Sequence, residues 1–555
     1  MTIFDSTGSR PSMTGVGMTA AGATLPGDTV IRVDLAAPVL TRRRFVQLAV
    51  PAAAMAAATT ALSGRMAAAQ APIANVVFGL AAGVSRLDPY LTTDLVEQMV
   101  FFNLFDTPAH AMPDSSLAPS LALSWNSVNP TTWIFKLRDG VTWHNGDPFT
   151  AEDIVFSLAR VVDPAAKSLF AGNFAAIDKA SADDRLTLRI TTKNPDPFMP
   201  MRLANYGAHV LPHKHFQAVG AAKFFEAPIG TGPYKFKEFV PGQSIVLERN
   251  DRYWTRPEFP TITFRKLPEL SARTAAVRTG EVHVINGVSP DAVAQVNTAS
   301  TQAVTSLSGS AFFLVVNMRT APLGNRDVRH ALSLALDRNS INRNLFGGQA
   351  QLLKEPILAG SIGTDPARPD LRYDPDQARD LLRKAGYNKE EILFETMANA
   401  YFGVDREIGE AMTAMWSAVG LNVKMSVIEP AVRAQKNAAR AFNGLFAAYF
   451  ASQYSDAAGL LWRSMNPQGI LSHYWNVPGA NDPAPFNQLG AKAVTSFDEK
   501  ERAQLYKQMS DIMLEAMPWI LLFQPPIIFA TSKRVKLVPG PNILVNFRKE
   551  TLSAI

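Results

Sequence analysis

The sequence predicts an α/β or mixed α/β fold, and three observations carry that expectation. Short runs alternate with period two, as where Trp133, Phe135 and Leu137 oppose Lys136 and Arg138. Helical stripes fall between such runs, as in Ile154, Leu158 and Val161 at i, i+4 and i+7. Connections are mostly short, so strands and helices alternate instead of segregating.

Taken in order, Asn75–Leu80 is a short apolar strand, followed by a loop at Leu87-Asp88-Pro89 and a helix over 94–102. Trp133–Leu137 is a strand closed by Asp139-Gly140, where glycine supplies the positive φ of a tight turn. A second short strand is expected after that turn, before Asn145-Gly146-Asp147-Pro148. Thr150 with Asp153 resembles a capping box and starts a helix that stops at Asp163-Pro164. Leu186–Thr191 alternates as a strand, and prolines 195, 197 and 200 precede a helix near Met201. Gly230-Thr231-Gly232-Pro233-Tyr234 turns into a strand, and Ser244–Arg249 returns from it.

Further on, Phe312–Asn317 (FFLVVN) is a continuous apolar run, expected of a strand buried on both faces. Asp374-Pro375-Asp376-Gln377 is a strong helix start, with Asp at the cap, Pro at the first helical position and Gln as box partner. Gly386 ends that helix. Another helix starts near Asp405, Leu421–Ile428 is a strand, and Leu445–Phe450 is apolar and aromatic. Leu505, Met509, Ile512 and Met513 mark the last long helix, stopped by Pro518.

At 555 residues the chain has room for two to four domains, and 47% hydrophobic against 18% charged residues excludes global disorder. The absence of cysteine excludes disulfides, thiolate metal sites, cysteine nucleophiles and a lipidated N-terminal cysteine. The eight histidines are scattered. The nearest pair, His213 and His215, has no carboxylate cluster beside it, so neither metal nor cofactor is expected. No phosphate-cradling loop, nucleophile elbow or zinc-protease motif occurs.

Residues 1–69 read as an N-terminal extension and signal peptide. Arg42-Arg43-Arg44-Phe45 precedes an uncharged, alanine-rich stretch to Leu62, then Ala67-Ala68-Ala69. A basic region, an apolar region and a small-x-small cut site follow the export pattern, and paired arginines with Phe shortly after follow the twin-arginine variant. The same run is marginal as a membrane anchor, since it holds Gln47, Pro51, Thr59 and Thr60. Cleavage is expected after Ala69. It lowers Lys+Arg from 54 to 48 and Asp+Glu from 48 to 45, leaving a net charge of +3. With no basic cluster, nucleic acid is not an expected partner.

Six blocks in register resemble the family 5 extracellular solute-binding proteins of ABC importers, the dipeptide- and oligopeptide-binding group. They are Leu87-Asp88-Pro89, TWIFKLRDGVTWHNGDPFTAEDIVFSL, GTGPYKFKEFVPGQSIVLERNDRYW, Arg278-Thr279-Gly280-Glu281-Val282, VRHALSLALDR and YDPDQARDLLRKAGY. The resemblance implies a class II periplasmic binding protein of α/β type, with two hinged lobes of mixed sheets and an extra subdomain. By similarity the first lobe takes 72–107, 230–310 and 519–555, the subdomain 108–229, and the second lobe 311–518.

The same resemblance implies a periplasmic monomer that catalyses nothing. It would capture a peptide or peptide-like solute between its lobes and deliver it to ABC permease subunits. A non-peptide ligand (sugar, opine or metal chelate) on this fold, and an exported hydrolase or peptidase, are the alternatives.

Peptide-binding members carry an aromatic residue in the second lobe and, three places on, an aspartate that pairs with the peptide's ammonium. Here those positions read Tyr449 and Ser452, and an arginine found in some members falls at Phe446. The resemblance thus assigns Phe446, Tyr449, Phe450, Ala451 and Ser452 to the ligand site, with Thr93 and Leu95 from the first lobe. Serine cannot neutralise a buried ammonium. A neutral or differently charged ligand is favoured, unless a shifted loop brings in Asp456. Tyr449 and Phe450 also suit plain core packing.

Overall fold

The computed structural model describes residues 72–112, 116–398, 403–477, 482–540 and 547–555. The arginine-led segment and the cleavage expected after Ala69 fall outside the described residues. No described helix is long and apolar enough to cross a membrane.

Two mixed sheets organise the chain. The first has seven strands in the order Thr301–Leu307, Pro526–Ser532, Val284–Ile285, Asn75–Leu80, Thr261–Lys266, Ser244–Arg249 and Tyr234–Val240. The second has six, in the order Gln351–Leu352, Trp519–Gln524, Ser310–Val316, Leu445–Ala451, Ile392–Thr396 and Val423–Val427. Ser310–Val316 lies inside the second sheet and all seven of its residues are buried, which is why FFLVVN shows no alternation. A four-stranded antiparallel sheet, Ala122–Asn129, Thr132–Leu137, Thr187–Thr192 and Ile177–Asp184, forms a separate layer.

That third sheet shares its core with the first: Phe135, Trp143 and Leu188 belong to the same buried cluster as Phe78, Phe264 and Phe547. The second sheet has a core of its own, built on Phe313, Leu314, Trp416 and Trp519. A third, smaller cluster with Val277, Ile285 and Ile528 backs the first sheet, so the buried clusters divide between two bodies. The chain passes between the two large sheets at Leu307–Ser310 and at Gln524–Pro526. The crossings lie side by side: Ser308 N donates to Pro525 O at 2.9 Å, and Gln524 Nε2 donates to Ser308 O at 2.8 Å.

The second crossing corrects one expected boundary. The resemblance implies a return to the first lobe at 519, but Trp519–Gln524 is antiparallel to Ser310–Val316 inside the second sheet. This run, WILLFQ, is wholly buried, and the chain leaves the sheet at Pro525-Pro526. The second short strand expected after Asp139-Gly140 is also absent. Only an isolated bridge, Thr142 to Pro148, forms there, because Trp143 N turns to Asp147 O and His144 N to Gly230 O.

Local signals produced the expected elements elsewhere. The helix Ala151–Val162 buries Ile154, Leu158 and Val161, and the Asp153 carboxylate accepts Thr150 N at 2.9 Å. The Asp374 side chain accepts Gln377 N at 2.9 Å at the start of Pro375–Lys384. Trp133 and Trp143 are buried, while Trp254 is half-buried, stacked on Tyr253 at 4.0 Å and lying under Arg138.

The Gly230-Thr231-Gly232 motif has a steric cause. A Cβ on Gly230 would sit 1.8 Å from Leu104 O, and one on Gly232 would sit 2.5 Å from Asn103 O. Gly232 N donates to Leu104 O at 3.0 Å, so this turn rests directly on the end of the helix Leu95–Leu104.

Candidate functional site

A cavity of about 320 Å³ opens where the two crossings meet both bodies. This falls at the small end of the range of sites for small molecules. The hinge contributes Ser306, Leu307, Gly309 and Gln524. The second lobe contributes the loop Leu358–Ser361 and the segment Ser452–Ser455, which leaves the end of strand Leu445–Ala451. From the first body come Phe102, His110, Met112 and Asn205, among others.

The two second-lobe walls are tied together. Ile362 N donates to Ser455 O at 3.0 Å, and Ala457 N to Ile362 O at 3.1 Å. Asp456, between them, is fully buried; its Oδ2 accepts Arg502 Nε at 3.0 Å and its Oδ1 accepts Ala458 N at 2.9 Å. Asp456 is thus committed to Arg502 and to a helix cap and is not offered to a ligand. Burial nonetheless pushes its carboxyl above the usual range, against the pull of those bonds.

Gln453 and Tyr454 also touch the opposite body. Gln453 Nε2 donates to Asn173 Oδ1 at 2.7 Å, and Asn205 Nδ2 donates to Gln453 O. The Tyr454 ring stacks on Phe198 at 5.1 Å, and Arg202 lies 5.8 Å from its centroid. Phe198 comes from the first body, yet it is buried in the second lobe's core cluster. The segment that walls the cavity therefore also joins the two bodies.

No described lining residue carries a formal charge at neutral pH. His110, 8% exposed, is pushed down to about 3 by burial and, secondarily, by the field of Arg548. Asp196, Arg202 and Arg463 line a separate cavity beyond Gln453 and Tyr454. There Arg202 pairs with Asp196 at 2.9 Å. Among the described residues no three His, Asp or Glu side chains converge to hold a metal ion. His213 instead faces Asp153 at 3.2 Å.

The residues singled out in the sequence scatter. Ser452 lines the cavity, donating its N–H to Gly309 O at 2.8 Å and its hydroxyl to Tyr454 O at 2.7 Å. Phe446 is buried in the second lobe's core, stacked on Phe442 at 4.0 Å and edge-on to Tyr474. Tyr449 and Phe450 pack partly buried against that core, and Phe450 meets Phe313 at 6.0 Å. Ala451 is exposed, and its carbonyl accepts Arg463 Nη2 at 3.1 Å. Thr93 is exposed and Leu95 half-buried at the start of a helix capped by Asp94, and neither lines the cavity. Gln453, Tyr454, Ser306 and Gln524 were not anticipated. The first two adjoin Ser452, but nothing local marks the hinge pair.

Residues 116–471 match the family described as bacterial extracellular solute-binding proteins, family 5 Middle. The chain belongs to that family. Its relatives agree along most of their length. It is 26% identical to the glutathione-binding protein GsiB of Pectobacterium atrosepticum, over 86% of this chain and 94% of that one. It is 28% identical to the periplasmic oligopeptide-binding protein OppA of Haemophilus influenzae, over 62% of this chain and 69% of that one. HbpA2 of Haemophilus parasuis has the same fold, with a TM-score of 0.77 at 22% identity, over 87% of this chain and all of that one. The family's architecture is two-lobed, and in this member the two bodies and the paired crossings define the lobes and hinge. It is a family of binding proteins.

Proposed function

We propose that this protein is the solute receptor of an ABC importer, capturing a small uncharged peptide or peptide-like solute in the cavity at the hinge. The lobes close over the solute, and the closed receptor, a monomer, docks on permease subunits without catalysing a reaction. One observation carries the reading: a family 5 chain places a cavity with no formal charge on its described lining against both hinge crossings. A free ammonium would be desolvated there without a carboxylate, which is costly. The names of the relatives, which bind glutathione and oligopeptides, favour a peptide-like solute. Export by the twin-arginine route, with cleavage after Ala69, would deliver the receptor to the periplasm, and N-terminal sequencing reads that cut directly.

The test is a thermal-shift screen of the mature protein. The panel holds di- to tetrapeptides with free and blocked ends, glutathione, maltose, an opine and nickel–histidine. A solute at 100 times its Kd adds about 2.7 kcal/mol to stability. A blocked peptide is expected to raise the melting temperature and to be recovered intact by mass spectrometry. Ala359 is exposed at the cavity wall, so Ala359→Trp should fill the site and abolish the rise at little cost to the fold. A rise that survives this substitution, or cleavage of the solute, contradicts the reading.

A further inference from the structure

Two residues of the cavity wall each carry a buried polar atom with no protein partner among the described residues: Gln524 Oε1 and Ser306 Oγ. Both atoms are buried, and the Gln524 residue as a whole is only 4% exposed. They sit on the two strands that carry the chain through the hinge. The Gln524 amide cannot simply turn round, because its Nε2 donates to Ser308 O at 2.8 Å on the neighbouring crossing. That bond fixes Oε1 as an acceptor. A buried acceptor left unfilled costs free energy, and a partner such as a bound molecule or an ordered water offsets that cost.

We propose that Gln524 and Ser306 read an uncharged N–H or O–H donor on the solute, so that the preferred ligands are neutral molecules bearing a carboxamide or hydroxyl. This rests on the interlobe cavity being the ligand site, as proposed above. A cationic donor is disfavoured by the uncharged lining. A solute bound this way bonds both crossings at once, and so engages the hinge itself. Selectivity then follows from the asymmetry of buried hydrogen bonds. A solute lacking the donor leaves Gln524 unpaired in a dry site and is rejected more strongly than the loss of one contact suggests.

The test is calorimetric titration of the mature protein with N-acetyl-trialanine amide and N-acetyl-trialanine methyl ester, which differ in the terminal donor. The wild type is expected to bind the amide about tenfold more tightly than the ester. Gln524→Met keeps the length of the side chain and removes the acceptor, and should bring the two probes to within about twofold. Ser306→Ala, a smaller change, should narrow the gap as well. Equal binding of the probes by the wild type, absence of binding to either, or a gap unchanged in both variants overturns the proposal. Ala359→Trp keeps the two readings apart. Probe binding that it leaves intact removes the cavity as the site, whereas binding that it abolishes without donor discrimination removes only the Gln524–Ser306 assignment.

Discussion

Arg502→Met is expected to destabilise the protein by about 3–5 kcal/mol, read as a fall in the urea midpoint at neutral pH. Arg502 is 3% exposed and Asp456 is fully buried, so removing the cation leaves a carboxylate without its counter-charge inside the second lobe. The guanidinium also donates to Ser496 O at 3.0 Å and lies 5.5 Å from the Phe198 ring of the opposite body. Adding Asp456→Asn should recover part of the loss, since the double variant no longer buries an unpaired charge.

The Asp456 carboxyl is already raised by burial, and Arg502 is among the groups that hold it down. Without Arg502 it rises further. A carboxyl raised in the folded state is least destabilising below its unfolded value and most destabilising above its folded value. The deficit of Arg502→Met should therefore shrink as pH falls toward 4. A deficit below about 1 kcal/mol at neutral pH would mean that the pair anchors nothing.

Gly230→Ala is expected to cost about 3 kcal/mol or more, the upper end of overpacking effects. Its new methyl would meet Leu104 O at 1.8 Å and Leu104 C at 2.7 Å, both backbone atoms at the end of a buried helix. Neither can move aside as a side chain would. Gly280→Ala is the control. Gly280 ends a helix at φ +80 with open space around it, so the cost there is only that of left-handed backbone, about 1–2 kcal/mol. Urea denaturation should rank Gly230→Ala well below Gly280→Ala in stability. The reverse order would contradict the close approach at Leu104.

These two glycines illustrate what the sequence could convey. Gly280 follows a helical stripe, and its capping role is local. Gly230 depends on contact with a helix more than a hundred residues earlier, which no local pattern encodes. The same divide runs through the site. FFLVVN declared its burial, Asp374-Pro375 declared its helix, and the six blocks together declared the family. Ser452, assigned by register against a second-lobe segment of the peptide-binding members, does line the cavity. Phe446 came with it, because alignment fixes position along a strand but not which neighbours close over it, and Phe442 and Tyr474 do so here. Gln524 and Ser306 were invisible for a stronger reason. Each is an ordinary polar residue near a strand end, and only the two hinge crossings bring them to one cavity wall.

Solute binding between the lobes is expected to close them. Since the chain has no cysteine, Arg278→Cys and Glu410→Cys place one spin label on an exposed helix position of each lobe. Pulsed electron resonance then reads the interlobe distance with and without the solute that raises the melting temperature. The distribution is expected to shift to shorter distances and to narrow at saturating solute. A distribution unchanged by saturating solute would contradict it.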